Sequence, residues 1–294
     1  MTQLKLAFLG LGLMGRPMAR HLIDAGYLVC LYNRNPEKLA PFENTTAHLF
    51  HDPAEAVRDA DMVIAMVSDG RAVADLLERQ GVAAAMKQGA LFIDMSSIRP
   101  EEARRHAGLL DAYGIDVLDA PVSGGTKGAE EAGLAIMAGG TEAAFQRAKP
   151  VFAVLGRAVH VGPPGTGQLC KLANQMIVGI TIGAVSEAML LVQKGGASPA
   201  AMRAALKGGF ADSTILQLHG WRMTADDFTP GARATTQLKD MENALLEAKN
   251  LGLTLPMTSD IHSRYHHLIE ELQGGDLDHA ALFLDLLERQ DHAD

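Results

Sequence analysis

The 294-residue sequence has very little cysteine: only Cys30 and Cys170 are present, and neither stands in a CxxC or Cys/His spacing. This spacing excludes a disulfide framework and a cysteine-based zinc site. Both thiols are expected to be buried free cysteines in a reducing compartment. The sequence also lacks an HExxH motif. His262 and His266 are four residues apart, but without a paired acidic ligand they indicate a solvated helix face, so no metal site is predicted.

A dense block of lysine and arginine is also missing. The chain has 26 Lys and Arg against 35 Asp and Glu, a formal net charge of −9. Nucleic acid is therefore not an expected partner. A small anionic substrate stays compatible with this balance, because an acidic protein can still have a local basic pocket.

The sequence also lacks the features of a secretory or membrane protein. The beginning, MTQLKLAFLG, has no basic stretch followed by an apolar run of signal-peptide length. The most apolar segment, 169–192, is interrupted by Lys171, Asn174, Gln175 and Glu187, which is too polar for a membrane span. A cytoplasmic protein is therefore expected.

Short apolar runs alternate with helical patterns in the first half of the chain. This alternation predicts βαβ units and an α/β fold with a mostly parallel sheet. Strands are predicted at 4–9, 27–32, 61–67, 90–94, 115–120 and about 158–161, and helices at 14–25, 53–59, 71–79, 100–113 and about 141–155.

The pattern changes after VGPPGTG (161–167), and no strand is predicted beyond it. Helices are predicted at about 167–194, 198–207, 213–223, 236–251, 256–272 and 278–290. The prediction is an α/β domain with a mostly parallel sheet at 1–162 and an all-helical domain at 163–294. Because the helix at 167–194 is apolar almost all round, it is expected to be buried and to serve both domains or a partner subunit.

The motif GLGLMG (10–15) matches G-x-G-x-x-G between a predicted strand and a predicted helix. Gly10 allows the tight turn, Gly12 lets the backbone approach a pyrophosphate, and Gly15 allows close helix–strand packing. The free N–H groups of the helix start then face the phosphates. The whole loop is therefore expected to bind a dinucleotide, which adds Leu11, Leu13 and Met14 to the predicted site.

The residue at the end of the second predicted strand helps to distinguish NAD from NADP as the bound dinucleotide. An acidic residue there would bind the ribose 2′-hydroxyl of NAD. The chain instead has Asn33 followed by Arg34. Because no carboxylate repels a 2′-phosphate and a guanidinium can bind one, NADP(H) is favoured, with NAD(H) as the alternative.

Two further turns follow predicted strands. In DAPVSGG, Ser123, Gly124 and Gly125 expose N–H groups and a hydroxyl that can hold a carboxylate; a plain turn with a serine cap is the alternative. In DMSSIRP, Ser96 is predicted to contact cofactor or substrate at the carboxyl end of a parallel strand. Ser97 could make the same contact with cofactor or substrate, or it could simply be a helix N-cap.

Five motifs together resemble the β-hydroxyacid dehydrogenases, the 3-hydroxyisobutyrate dehydrogenase-like family. They are FLGLGLMGRPMAR (8–20), DMSS, DAPVSGG, GTGQLCKLANQ and LKDMENAL (238–245), and they extend over nearly the whole chain in the family's order. The resemblance implies an N-terminal Rossmann domain, an all-helical C-terminal domain, and a homodimer or homotetramer.

The resemblance also implies roles for individual residues. Lys171 matches the catalytic lysine and Asn174 the asparagine that holds the substrate, while Ser123 and Gly124 match the substrate-binding motif. Lys239 matches a lysine close to the cofactor. Cofactor contacts are also assigned to Val67 and Ser68 in the loop MVSDG, where the family commonly has a Leu-Pro version.

The activity implied is reversible hydride transfer between a nicotinamide cofactor and a small carboxylated aldehyde or β-hydroxyacid. Lysine in an apolar helix is costly unless it has a partner or a task, and Lys171 would be the general acid and base. An imine reductase and a non-catalytic nucleotide-binding assembly protein are the other classes considered. The resemblance implies that an imine reductase and a non-catalytic relative would each lack this lysine. The presence of Lys171 therefore argues against both classes.

Overall fold

The computed structural model describes residues 4–291, and the outer limits of the two predicted domains, at residues 1 and 294, lie outside them. The chain divides into two compact units, Met1–Lys171 and Leu172–Asp294.

A nine-stranded sheet forms the centre of the first unit. The strands are β1 (Lys5–Leu9), β2 (Leu28–Tyr32), β3 (His48–Phe50), β4 (Met62–Ala65), β5 (Leu91–Asp94), β6 (Asp116–Asp119), β7 (Val122–Ser123), β8 (Leu134–Gly140) and β9 (Gly156–Gly162). Their order is β3-β2-β1-β4-β5-β6-β8-β7, and β9 also pairs with β8. Among the strand pairs of this sheet within residues 4–291, only β6–β8 and β7–β8 are antiparallel.

Helices connect the strands. They are α1 (Gly15–Asp24), α2 (Pro53–Val57), α3 (Gly70–Ala74), α4 (Val82–Ala85), α5 (Pro100–Asp111), α6 (Gly125–Glu130) and α7 (Glu142–Leu155). A 3₁₀ helix spans Pro36–Phe42, and α3 continues as a π-helical turn at Asp75–Arg79. This arrangement is the Rossmann architecture, and the predicted mostly parallel α/β fold is confirmed.

The apolar residues of the strands divide between two cores. In β1, Leu6 and Phe8 belong to the core on one face of the sheet, whereas Ala7 and Leu9 belong to the core on the other. This follows from the two-residue period of a strand. Because both faces are covered, β1 reads in the sequence as a continuous apolar run.

Helices make up the second unit, with α8 beginning in the first. They are α8 (Thr166–Lys194), α9 (Pro199–Leu206), α10 (Thr214–Ala225), α11 (Ala234–Asn250), α12 (Pro256–Glu270) and α13 (Leu282–Asp291). A 3₁₀ turn at His279–Ala281 precedes α13, and Arg233 forms an isolated bridge with Asp278. The prediction of an all-helical C-terminal part is confirmed.

Within the single chain α8 is buried only in part, so burial of the whole helix would require a partner subunit. Ile182 is completely buried, but Ile177 is 65% exposed and Leu191 is 75% exposed. The expectation that this segment is too polar for a membrane span does not hold by length and composition alone, since the most apolar 18-residue window of α8 has a mean hydropathy of 1.8 and is 39% buried. A core helix of a soluble protein meets the same two criteria.

Candidate functional site

The glycine loop after β1 has the conformation that its sequence predicts. Gly10 has φ +108°, and a Cβ there would lie 2.3 Å from the carbonyl oxygen of Met66. A Cβ at Gly15 would lie 2.0 Å from the carbonyl oxygen of Gly10. At Gly12, by contrast, a Cβ would meet nothing within 4 Å. Packing therefore requires glycine at 10 and 15, whereas the surface beside Gly12 is open to a ligand.

The remaining loop residues differ in exposure. Leu11 is buried and Leu13 is 79% exposed, while Met14 packs partly against the core. The backbone N–H of Leu11 donates to Oδ1 of Asn33 at 2.8 Å, and Arg34 beside it is exposed. The amide of Asn33 therefore holds the glycine loop against the end of β2, at the edge where dinucleotides bind in such sheets.

The loops after β4 and β5 are joined by a hydrogen bond. The backbone N–H of Val67 donates to the Ser96 hydroxyl oxygen at 3.0 Å. Ser96 is completely buried, so its hydroxyl supports the neighbouring loop from inside the unit. Ser68 is exposed, and its hydroxyl donates to Asp69 at 3.1 Å. The structure thus brings two of the predicted cofactor residues, Val67 and Ser96, into contact with each other.

Two buried carboxylates lie beside these loops at the ends of neighbouring strands. Asp94 of β5 is directly paired with Asp119 of β6 in the sheet register. Burial raises the pKa of Asp94 to about 7, against the opposing effect of hydrogen bonds from Ser96. Burial also raises the pKa of Asp119, although backbone N–H donors from Gly165 and Gln168 oppose it.

These two aspartates and Gln168 are not among the site residues predicted from the sequence. Asp94 and Asp119 each close a short apolar run, in LFID and DVLD, and an acid at the end of a buried parallel strand is a detectable signal. Gln168 gives no comparable signal, because its side-chain partner Ser96 is 72 residues away in sequence.

The turn predicted to hold a carboxylate lies between β7 and α6. Ser123 ends β7 and is half-buried, and Gly124 and Gly125 have φ +139° and +60°. Only glycine adopts both conformations readily. Gly125 opens α6, so backbone N–H groups of its first turn are available there. Lys127 is 81% exposed and 3.9 Å from Glu131, consistent with a solvated lysine.

Lys171 and Asn174 lie three residues apart on α8, at half-buried positions. Within the second unit, Asn174 Nδ2 donates to Oε1 of Gln175 at 2.8 Å. Gln175 Nε2 in turn donates to Oδ2 of Asp240 at 2.7 Å. Lys239 Nζ lies 3.3 Å from the other oxygen of this buried carboxylate. Asn174 and Lys239, both predicted site residues, are thus connected through Gln175 and Asp240.

A cluster of three buried side chains in the second unit has the composition of a metal site. Possible ligand atoms of His219, Asp278 and His279 lie within 4.8 Å of one another. However, the Asp278 carboxylate already accepts hydrogen bonds from the N–H groups of Gly231, Ala232 and Ala280. Burial raises the pKa of Asp278, but the side chain of His219, the charge of His279 and the N–H donors of Ala280 and Gly231 together hold it below its ordinary value. The carboxylate therefore joins two chain segments, which accounts for its burial without a metal ion.

Comparison with protein families gives two matches that together span most of the chain. The NAD binding domain of 6-phosphogluconate dehydrogenase matches residues 5–162. The NAD-binding domain of NADP-dependent 3-hydroxyisobutyrate dehydrogenase matches residues 165–285.

Individual relatives match along nearly their whole length. The 2-hydroxy-3-oxopropionate reductase of Escherichia coli (strain K12) is 42% identical over 283 residues, which cover 95% of this chain and 96% of that protein. The 3-hydroxyisobutyrate dehydrogenase of Pseudomonas aeruginosa is 33% identical over 261 residues, covering 86% and 88%.

A solved structure gives the same assignment. The 3-hydroxyisobutyrate dehydrogenase of Mycobacterium tuberculosis, determined with L-serine, superposes with a TM-score of 0.88 at 32% identity and covers 97% of this chain and 99% of that one. The family carries out NAD(P)-dependent oxidoreduction of small hydroxyacids or semialdehydes. From its motifs, topology and relatives, the chain belongs to the β-hydroxyacid dehydrogenase family, that of 3-hydroxyisobutyrate dehydrogenase.

Proposed function

We propose that the protein uses NADPH to reduce 2-hydroxy-3-oxopropionate, also called tartronate semialdehyde, to glycerate. The observation that carries this choice is the 42% identity to the 2-hydroxy-3-oxopropionate reductase of E. coli, against 33% to the 3-hydroxyisobutyrate dehydrogenase of P. aeruginosa. Wording in the chain such as KLANQ (171–175) and GGFADST (208–214) is also similar to that reductase.

The residues of the glycine loop fit a dinucleotide. The open surface at Gly12 leaves room for a pyrophosphate, and the N–H groups that begin α1 are suited to bind its charge. Arg34 is exposed at the end of β2, where its guanidinium can pair with a 2′-phosphate. These two features support the choice of NADPH, and Asn33 leaves this position without a carboxylate that would repel the phosphate.

The proposed chemistry assigns the proton to Lys171. When bound, a nicotinamide would supply the hydride, and negative charge would then develop on the substrate carbonyl oxygen. The ammonium group of Lys171 stabilises this oxygen and donates the proton to it; in the reverse direction the amine accepts the proton. Asn174, three residues further on α8, would orient the substrate or the lysine.

The carboxylate of the substrate is assigned to the turn at Ser123, Gly124 and Gly125. The positive φ values at Gly124 and Gly125 form a concave backbone with N–H donors, and the Ser123 hydroxyl adds a further donor. A neutral aldehyde of the same size would lose these charge-assisted bonds. The proposed specificity is therefore for carboxylated aldehydes.

Three further properties belong to the same proposal. The dinucleotide-binding domain is taken as 1–162 and the helical domain as 163–294. The exposed side chains of Ile177 and Leu191 on α8 support a homodimer or homotetramer that covers them. Relatives of this kind support a cytoplasmic location.

One substrate screen tests the proposal. NADPH oxidation is measured with tartronate semialdehyde, methylmalonate semialdehyde, succinic semialdehyde and glyoxylate, and each assay is repeated with NADH. We expect kcat/KM for tartronate semialdehyde to exceed the others by at least about tenfold, because the other three aldehydes lack its 2-hydroxyl and a site that hydrogen-bonds a substrate hydroxyl discriminates against analogues without it. A higher kcat/KM for methylmalonate semialdehyde would instead identify a 3-hydroxyisobutyrate dehydrogenase. Preference for either remaining substrate would identify the corresponding reductase.

A further inference from the structure

The side chain of Gln168 is completely buried in the first turn of α8. Its Oε1 accepts a hydrogen bond from the backbone N–H of Ile98 at 3.1 Å. Its Nε2 donates to the backbone oxygen of Ser96 at 2.8 Å. Both ends of the amide are therefore used to hold the loop that follows β5. A buried amide bonded at both ends has one fixed orientation, because any rotation leaves polar groups unpaired.

The backbone of the same turn is held by β6. The N–H of Gln168 donates to Oδ2 of Asp119 at 2.9 Å, and the N–H of Gly165 donates to Oδ1 at 2.7 Å. A Cβ at Gly167 would lie 2.3 Å from the carbonyl oxygen of Asp119, so only glycine permits this approach. The first turn of α8 therefore has a fixed position against the end of β6.

The loop that Gln168 holds also supports its neighbour. Ser96 accepts from the N–H of Val67 and donates its own N–H to Oδ1 of Asp94 at 2.9 Å. Through Ser96, Gln168 is therefore connected to the loop after β5 and also to the loop after β4. Val67 and Ser96 are residues that the sequence predicts as cofactor contacts.

Lys171 follows Gln168 by three residues on α8, so the two lie on neighbouring turns of one helix face. We propose that Gln168 is a positioning residue for catalysis: its side chain fixes the turn that carries Lys171 relative to the loops after β4 and β5. This inference rests on the proposed function, because it takes Lys171 as the proton donor. Gln168 itself would touch neither substrate nor cofactor.

Two substitutions separate positioning from packing. Gln168→Ala removes both volume and hydrogen bonds, whereas Gln168→Met keeps the volume and removes only the bonds. We expect kcat of Gln168→Met to fall at least about tenfold, because small displacements of a catalytic group have effects of this size. The Kd for NADPH should stay within about threefold, and the deuterium isotope effect with labelled NADPH should increase.

The matched control is Ser186→Ala, which removes another buried side-chain hydrogen bond of α8, from Ser186 Oγ to the backbone oxygen of Ile182 at 2.8 Å. Its kcat should stay within about twofold of the wild type, since it lies about five helical turns from Gln168. All variants are assayed well below their unfolding midpoints. A kcat for Gln168→Met within about twofold of the wild type would overturn the proposal, because filled volume would then be sufficient.

A measurement without substrate keeps this test separate from the proposed function. Trace labelling of the intact protein with acetic anhydride, followed by mass spectrometry, reports the reactivity of Lys171, with exposed Lys249 as internal reference. If the wild type reduces none of the four aldehydes, the proposed function fails. The labelling experiment then decides by itself whether Gln168 positions Lys171. A change of at least about threefold at Lys171 in Gln168→Met supports positioning, and an unchanged ratio to Lys249 contradicts it.

Discussion

The side-chain oxygen of Asn33 accepts a hydrogen bond from the backbone N–H of Leu11 at 2.8 Å. The residue that ends β2 is therefore part of the structure of the glycine loop. Its amide nitrogen donates to the backbone oxygen of Asn35 at 2.8 Å, which fixes the orientation of the side chain. Asn33 thus supports the loop, and the exposed Arg34 beside it is the residue proposed to bind a 2′-phosphate.

Replacement of Arg34 by aspartate should reverse the cofactor preference. Loss of a charge-assisted bond and gain of a repulsive carboxylate should raise KM for NADPH at least about tenfold and KM for NADH less than about threefold. Steady-state kinetics with both cofactors measure the two values. Lys38→Asp, the same charge reversal at a nearby exposed position, is the control and should leave the ratio nearly unchanged. Equal effects of Arg34→Asp on both cofactors would contradict the assignment.

Two glycines of the loop should respond differently to alanine. At Gly15 the added methyl would lie 2.0 Å from a backbone oxygen, so Gly15→Ala should lower the unfolding midpoint strongly. At Gly12 the methyl meets nothing, so Gly12→Ala should leave the midpoint nearly unchanged. It should still weaken NADPH binding by about tenfold, because the methyl occupies the approach to the pyrophosphate. Thermal unfolding and NADPH titration measure these effects; normal NADPH affinity in Gly12→Ala would contradict the proposed approach.

Substitution of Lys171 by alanine should remove the proton donor. We expect kcat to fall by about 10²- to 10⁴-fold, while the Kd for NADPH changes less than about threefold. Lys194→Ala is a matched control, since Lys194 is exposed in the last turn of the same helix. If Lys171→Ala turns over substrate at nearly the wild-type rate, another group must donate the proton.

His106 should make the protein less stable in acid. Its burial, followed by the charge of Arg105, lowers the pKa of His106 from 6.5 to about 4, against the opposing effects of Glu102 and Glu78. Between these values the unfolded chain binds more protons than the folded one. The corresponding stability is therefore present above about pH 6.5 and is lost as the pH falls towards 4.

Comparison with His106→Gln isolates this contribution. Relative to that variant, the wild type should lose about 3 kcal/mol of unfolding free energy between neutral pH and pH 4, an order-of-magnitude value from the change in pKa. Urea unfolding at several pH values gives the difference. Parallel curves for the two proteins would show that His106 does not titrate as expected.

The sequence predicts the parts of the fold that have regular periodicity. The strand β1 is buried on both faces, so its apolar run indicates its position to within one residue. The strand β8, which reads LAIMAGG, was not predicted, because alanine and glycine are uncommon in strands. The short strands β3 and β7 also went unpredicted, and each contains at most three residues.

The buried contacts around the candidate site could not be predicted. Asp94 and Asp119 meet only because β5 and β6 pair in one register. Gln168 reaches Ser96 only because the start of α8 lies beside the loop after β5. These contacts join residues far apart in sequence, whereas motif spacing reports only local arrangement. The glycine loop was predictable because its chemistry and its conformation lie within one short segment.

The position of Asp119 has a consequence for chimeric enzymes made from members of this family. Its carboxylate accepts from the N–H groups of Gly165 and Gln168, as the side chain of an N-cap residue does, although it belongs to a strand more than 40 residues earlier. A chimera joined between β6 and α8 that loses this aspartate would leave the helix start without its acceptor. Asp119 and residues 165–168 therefore form one exchangeable element and should be transferred together.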